Sequence, residues 1–432
     1  MDGAPSYLPV IRKSVTLRND MKPRIFYGWW IVFACFLISL YISSVILFGF
    51  TAFFEPLVQE FGWSYTQVSL ASSLRGLEMG ILAPLIGFLV ARFGSRKLIL
   101  LGVFTVGIGL IMMSYTHSLL IFYCAMGFIA FGAGGCTTVV TMTAVARWFR
   151  KNIGKALGIM SSGFGASGLF IPGIVWIIDG YGWRSALIIF GLGIWLIGIP
   201  LAFVVRDSPE QYGYLPDGAS VDDPGAHDNP QDKEPAITIR EVFKERTLLY
   251  LNLAESIRFM CVVAVMTHIM PYLSSIGMSR SSAGFIAAAV PLISIGGRFA
   301  FGWLGDAYDK RYVTSEAFCL MAFGILALAF AHMKLGLFIF LLFFPSGFGG
   351  IAVLRGTVIR EYYGINSFSI MMGIMMGFGA TGGIIGPTLA GFVFDTSGNY
   401  HIAWIGLSVL LFLAIALVLK IRPHAQPDMS HD

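Results

Sequence analysis

Charge is scarce in this sequence. Asp, Glu, Lys and Arg make up 12% of its 432 residues, about half the share of a soluble globular domain, and the mean hydropathy is +0.76. The 29 basic residues are not gathered around aromatic platforms, which argues against a nucleic-acid partner. Cysteine is also sparse. Cys35, Cys124, Cys136, Cys261 and Cys319 lie singly in apolar runs, with no CxxC or Cys/His grouping, so neither a disulfide framework nor a metal site is expected. The first 25 residues are polar and basic without an apolar core, unlike a secretory signal. No nucleophile–base set, phosphate loop or metal cluster stands out, so an enzyme is not expected and no cofactor is implied.

What is there is apolar run after apolar run. Aliphatic, aromatic and sulfur residues reach 56%, and there are 51 glycines, the composition of a membrane protein with closely packed helices. The pattern predicts an all-α polytopic protein of twelve transmembrane helices, near 28–50, 67–91, 98–116, 119–146, 154–178, 186–205, 248–275, 281–303, 313–333, 335–358, 368–393 and 400–421. Residues 1–25 read as a basic tail, 26–205 as a first six-helix half, 206–246 as a linker, 247–422 as a second half and 423–432 as a short tail. The linker's SVDDPGAHDNPQDKEP is too polar to fold alone. The following TIREVFKERTLL reads as a short surface helix. Placing the amino terminus inside puts 22 lysines and arginines on the cytoplasmic side, three outside and four within spans. That bias orients both termini to the cytoplasm.

The halves repeat each other. GFGASG at Gly163–Gly168 returns as GFGATG at Gly377–Gly382, followed by Pro172 and Pro387, then Asp179 and Asp395. Gly87–Lys97 returns at Gly302–Arg311, and Gly134-Gly135 at Gly349-Gly350, all shifted by 214 to 216 positions. Two duplicated halves place a substrate site near the midplane between them.

The four arginines inside spans are Arg75, Arg258, Arg298 and Arg355. An arginine facing lipid costs about 2.5 kcal/mol to above 10, so each is expected to face protein or a cavity. Arg298, deep in AAAVPLISIGGRFAFGWLGD beside Gly296-Gly297, is the candidate for holding a carboxylate, which its forked donors match. The alternative is an ion pair with Glu255 or Glu78. Arg75 with Glu78, and Glu255 with Arg258, are spaced for pairing on one helix face. They are candidates either for proton coupling or for mutual neutralisation, with Glu255 the first choice for a proton carrier. His268, ahead of Pro271, is either a proton sensor or substrate donor, or a satisfied structural histidine. Arg355, five residues before Arg360, is expected to snorkel to the cytoplasmic edge. Ser294, Tyr41 and Thr141 are candidate hydroxyl donors to a polar substrate. Met371, Met372, Met375 and Met376 are expected to pack or to wall a cavity.

The chain resembles the major facilitator superfamily over about residues 25–422. Gly87–Lys97, GFLVARFGSRK, is similar to the family's loop G-x-L-x-D-R-x-G-x-R-R. The aspartate position is Ala91 in the first copy and Asp306 in the second. The resemblance implies outer helices 3, 6, 9 and 12 and a cytoplasmic latch formed from Arg92, Arg96, Asp306 and Arg311. A narrower resemblance, to the bacterial monocarboxylate porter and oxalate:formate antiporter-like branch, rests on several short motifs. They are Phe26-Tyr27-Gly28-Trp29-Trp30, Arg147-Trp148-Phe149, Asp207-Ser208-Pro209-Glu210, Pro216-Asp217-Gly218, His268-Ile269-Met270-Pro271-Tyr272 and Arg298.

That branch implies a secondary active transporter of a small monocarboxylate, lactate- or pyruvate-like, working as a proton symporter in a bacterial inner membrane. Its partners would be the organic anion, the proton and the bilayer, with no obligate protein. Oxalate antiporters carry a lysine in helix 11, which SFSIMMGIMMGFGATGG lacks. Animal porters have a lysine late in helix 1 and an aspartate before the helix 8 arginine, where this chain has Leu47 or Phe48, and Ser294. A single well-placed cation suits one carboxylate. The rival expectations are a facilitator-fold exporter or antiporter of another organic anion or hydrophobic compound, and a ligand sensor on a transporter scaffold.

Overall fold

A computed structural model describes residues 26–63, 67, 82–136, 138–219 and 245–421. The described chain is helical almost throughout. The first span, Tyr27–Ile42, continues through a π turn at Ser43–Phe48 and a 3₁₀ turn at Gly49–Phe53. The second is described over Ala83–Phe93. Ser95–Ser114, Leu119–Trp148, Ile153–Tyr181 and Trp183–Val204 are the third to sixth spans. In the second half, Arg246–Ser275, Arg280–Ala307 and Lys310–Leu328 are the seventh to ninth. The tenth and eleventh lie within Lys334–Ser397, and His401–Leu419 is the twelfth. The expected twelve-helix fold is present, with boundaries displaced by a few residues.

The tenth and eleventh spans are joined without a loop. Helix runs through Arg360–Tyr363, where a connection was expected, and breaks only at Gly364 (φ 67°, ψ −176°). That backbone conformation strains any residue with a Cβ, so one glycine separates the two spans.

The repeat in the sequence is a symmetry of contacts. A Cβ on Gly87 would meet the Ser369 carbonyl, and one on Gly302 would meet the Gly154 carbonyl. The shift of 215 that carries Gly87 to Gly302 also carries Gly154 to Ser369. Gly373 packs on the Ala83 carbonyl, and Gly158 on the Arg298 carbonyl, whose oxygen lies 2.8 Å from where a Cβ would stand. That pair is related by the same shift. The second span therefore closes on the eleventh as the eighth closes on the fifth. These close approaches lie from the ends of the spans nearest Asp306 to about their middle.

The expected linker is described only at its start, and SVDDPGAHDNPQDKEP, expected to be too polar to fold alone, lies outside the described residues. Residues 220–244, and with them most of the surface-helix expectation, lie outside the described residues, but Arg206–Ala219 is a folded strap. The Arg206 guanidinium lies between the Tyr27 and Tyr212 rings, at 4.0 and 4.1 Å, and its carbonyl accepts from Trp148 Nε1. Asp207 accepts from the Arg96 amide at 3.1 Å. Asp217, in the left-handed region at φ 60°, accepts from the amides of Arg150, Lys151 and Asn152 at 2.8, 2.7 and 3.2 Å. These carboxylates satisfy amide groups at helix starts. The Phe26–Trp30, Arg147–Phe149 and Asp207–Gly218 motifs thus meet in one aromatic cluster at the end of the first half where the first span begins.

Candidate functional site

Arg298 is 3% exposed, on the eighth span where it faces the fifth. Its Nη1 donates to the Ser161 carbonyl across the boundary between halves at 2.7 Å. Phe164 and Phe348 flank the guanidinium at 5.6 and 5.8 Å, within cation–π range. Its Nε has no hydrogen-bond partner. Of the expected alternatives, the ion pair with Glu255 is not formed and Glu78 lies outside the described residues; no carboxylate among the described residues pairs with Arg298. Among the described residues, the Ser161 carbonyl is the one hydrogen-bond acceptor it meets.

Glu255 is instead shared by two other arginines. It accepts from Arg258 Nε at 2.7 Å and from Arg258 Nη2 on its own helix, and from Arg355 Nη1 of the tenth span at 3.1 Å. All three are buried, at 2%, 1% and 9% exposure. The snorkelling expected of Arg355 is therefore corrected. The tenth span continues helical past it to Tyr363, so Arg355 stays inside the bundle, and the seventh span supplies its counter-ion. Arg258 and Arg355 lie within electrostatic reach of Arg298. Among the described residues, three guanidiniums and one carboxylate leave this cluster net positive. Arg75 and Glu78, the other expected pair, lie outside the described residues.

The remaining candidates are dispersed. Ser294, one turn before Arg298, donates to the Pro291 carbonyl of its own helix at 2.6 Å. Tyr41 ties the first span to the sixth through the Phe190 carbonyl, at 2.7 Å. Thr141 is fully buried on the fourth span. His268 lies 3.1 Å from the Tyr400 hydroxyl through Nδ1 and 3.0 Å from the Pro387 carbonyl through Nε2. A carbonyl only accepts, so Nε2 carries the proton, and both ring nitrogens are satisfied within the second half. Tyr272, from the same motif, donates to the Leu328 carbonyl at 2.7 Å. Met371, Met372, Met375 and Met376 are buried.

The latch candidates do not form one cluster. Asp306 bridges the halves, its carboxylate accepting from the Gly154 and Lys155 amides at 2.6 and 2.9 Å. It caps the fifth span, whose own N-cap residue Asn152 makes no side-chain cap. Arg311 pairs locally with Asp309 at 2.7 Å. Arg92 and Arg96 lie over Phe93 and Phe203 within the first half. Arg355 as a buried partner, the Ser161 carbonyl, and the Asp207 and Asp217 anchors were missed by sequence reasoning. The one available signal was the pre-glycine acid in Pro216-Asp217-Gly218.

Two six-span halves closed on each other at glycines, with the buried Arg298 at their boundary, have the architecture of a membrane transporter. The Major Facilitator Superfamily profile matches residues 29–314 and 259–431, and the chain belongs to that family. Among curated relatives, monocarboxylate transporter 13 of Bos taurus is 23% identical, covering 92% of this chain and 90% of its own. Monocarboxylate transporter 4 of Rattus norvegicus is 25% identical over 91% and 83%. Monocarboxylate transporter 12 of Xenopus laevis is 25% identical over 94% and 93%. The solved E. coli fucose:proton symporter FucP shares the fold at TM-score 0.68 and 16% identity, covering 91% of this chain and 98% of that one. The human organic anion transporter TETRAN does so at 0.70 and 13%, over 90% and 99%.

Proposed function

We propose that this transporter carries a small monocarboxylate of lactate or pyruvate size together with a proton, by alternating access. The observation that carries the reading is Arg298: a buried guanidinium at the boundary of the halves, anchored by one carbonyl and without a carboxylate partner among the described residues. The names of the curated relatives support the substrate class. A bound carboxylate neutralises the cation and lowers the cost of closing protein around it. The proton keeps the loaded carrier near neutral, and the expected candidates for handling it remain Glu255, Glu78, Arg258 and Arg75. Of these, Glu255 acts mainly as counter-ion to Arg258 and Arg355. Ser294, Thr141, Tyr41 and His268 supply the polar surroundings, the last two by fixing helices rather than by touching cargo. The glycine contacts and the Asp306 cap hold the cytoplasmic side closed, which corresponds to an outward-facing carrier.

The positive-inside bias puts both termini in the cytoplasm. A bacterial inner membrane follows from the branch resemblance alone, since the three relatives named above are animal proteins. The net positive cluster around Glu255 favours one second reading, exchange of a larger or doubly charged organic anion.

Binding tests the substrate class. Lactate is expected to raise the melting midpoint of the purified wild type, lactamide to leave it unchanged, and Arg298→Ala to abolish the lactate effect. Equal responses to lactate and lactamide would remove the carboxylate from the reading.

A further inference from the structure

The backbone amides that open the fifth span are shared between two carboxylates from different parts of the chain. Asp217 of the strap accepts from the amides of Arg150, Lys151 and Asn152, and Asp306 of the eighth span from those of Gly154 and Lys155. Ile153 is the first helical residue and Asn152 its N-cap, so Gly154 and Lys155 are the second and third positions of the helix. Those are the amides that an N-cap asparagine ordinarily satisfies with its own side-chain oxygen. Asn152 does not do so. Its Nδ2 donates to the Asp217 carboxylate at 3.3 Å, and its Oδ1 accepts from Lys155 Nζ at 3.3 Å.

Asp217 is itself held in an unusual conformation. It is the one non-glycine residue with a positive φ among the described residues, at φ 60° and ψ 6°, a region that aspartate and asparagine enter more readily than most. Gly218 beside it lies so close to Phe26 that a Cβ would stand 3.0 Å from the ring. Such a conformation persists where the surroundings over-determine it, and it clusters at positions that act.

We propose that Asp217 is a positioning residue for the closure between the halves. By holding the Asn152 side chain, it keeps the fifth span from capping itself and reserves the Gly154 and Lys155 amides for Asp306. This rests on the alternating-access reading. When Asp306 withdraws, those two amides lose their carboxylate, which disfavours the opened state. An Asn152 released from Asp217 turns to the ordinary capping place, satisfies the amides within the first half, and makes opening easier. The strap thereby sets the balance between closed and open halves without touching cargo.

The test reads distances between spin labels at positions 93 and 312 in the full chain, for wild type, Asp306→Ala, Asp217→Asn, Asn152→Ala and Asp217→Asn/Asn152→Ala. Asparagine tolerates the left-handed backbone, so Asp217→Asn removes the carboxylate and keeps the turn. It is expected to raise the ratio of open to closed molecules about threefold or more. Asn152→Ala alone is expected to match the wild type, and the double variant to return at least half of the way to it. That rescue is absent if Asp217 merely supports the loop. A shift in Asp306→Ala with none in Asp217→Asn, opening by Asn152→Ala alone, or a double variant as open as Asp217→Asn would each overturn the proposal and leave the carrier reading standing. No shift in Asp306→Ala would remove the latch itself, and the proposal with it.

Discussion

At the scale of single residues, the site turns on which charges are already compensated. Glu255 holds two buried arginines at once, so its loss strands two cations. Breaking a buried pair from one side costs about 3–5 kcal/mol. Glu255→Gln is therefore expected to lower the thermal stability of the purified protein sharply. Glu255→Asp, which keeps the charge, should lose less. Equal stability of wild type and Glu255→Gln would show that Glu255 is not their counter-ion. Arg298 differs because one carbonyl and two aromatic rings hold it. Its replacement should cost function before stability.

At the scale of elements, the Asp306 cap joins the eighth span of one half to the start of the fifth in the other. Removing an N-cap costs roughly 0.5–2 kcal/mol, about a 2- to 30-fold shift in a two-state equilibrium. Asp306→Ala is expected to enrich the cytoplasm-open state, read as longer distances between spin labels at positions 93 and 312. An unchanged distance distribution would remove Asp306 from the latch. At the opposite face, Arg184 donates to Glu60 and to the carbonyls of Ser114 and Thr116, which ties three connections together. The Arg184 hydrogen bond is the main cause holding the Glu60 carboxyl below its ordinary range. A depressed folded-state pKa stabilises fully above the unfolded value, and that contribution is lost as pH falls through the folded one. The stability gap between wild type and Glu60→Gln should thus be present at neutral pH and close in acid. A gap constant with pH would contradict the assignment.

At the scale of the whole molecule, the bundle was legible in the sequence because hydropathy, glycine content and the 215-residue repeat are patterns along the chain. Of the repeated glycines, Gly87, Gly165 and Gly302 prove to lie where one half closes on the other. The same shift places Arg298 opposite Ala83, and Asp306 opposite Ala91, so charge sits at these equivalent positions in the second half alone. What could not be read were partners distant in sequence. Arg355 looked like an edge residue because Glu255, 100 positions away, leaves no local mark. The strap at Arg206–Ala219 could not be read because its acids bond to backbone amides that no composition reports. Tyr41 and His268 looked available for cargo, yet backbone carbonyls of other spans occupy the Tyr41 hydroxyl and one nitrogen of His268.

The central claim is that Arg298 carries the carboxylate of a proton-coupled cargo. Uptake of radiolabelled lactate into proteoliposomes, with and without an inward proton gradient, wild type beside Arg298→Lys, tests it most directly. Lysine keeps the charge but loses the fork, and a lost charge-assisted hydrogen bond corresponds to roughly tenfold or more. Gradient-driven uptake by the wild type, reduced at least about tenfold in Arg298→Lys, is the predicted result. Uptake that survives in Arg298→Lys at the wild-type rate would contradict it.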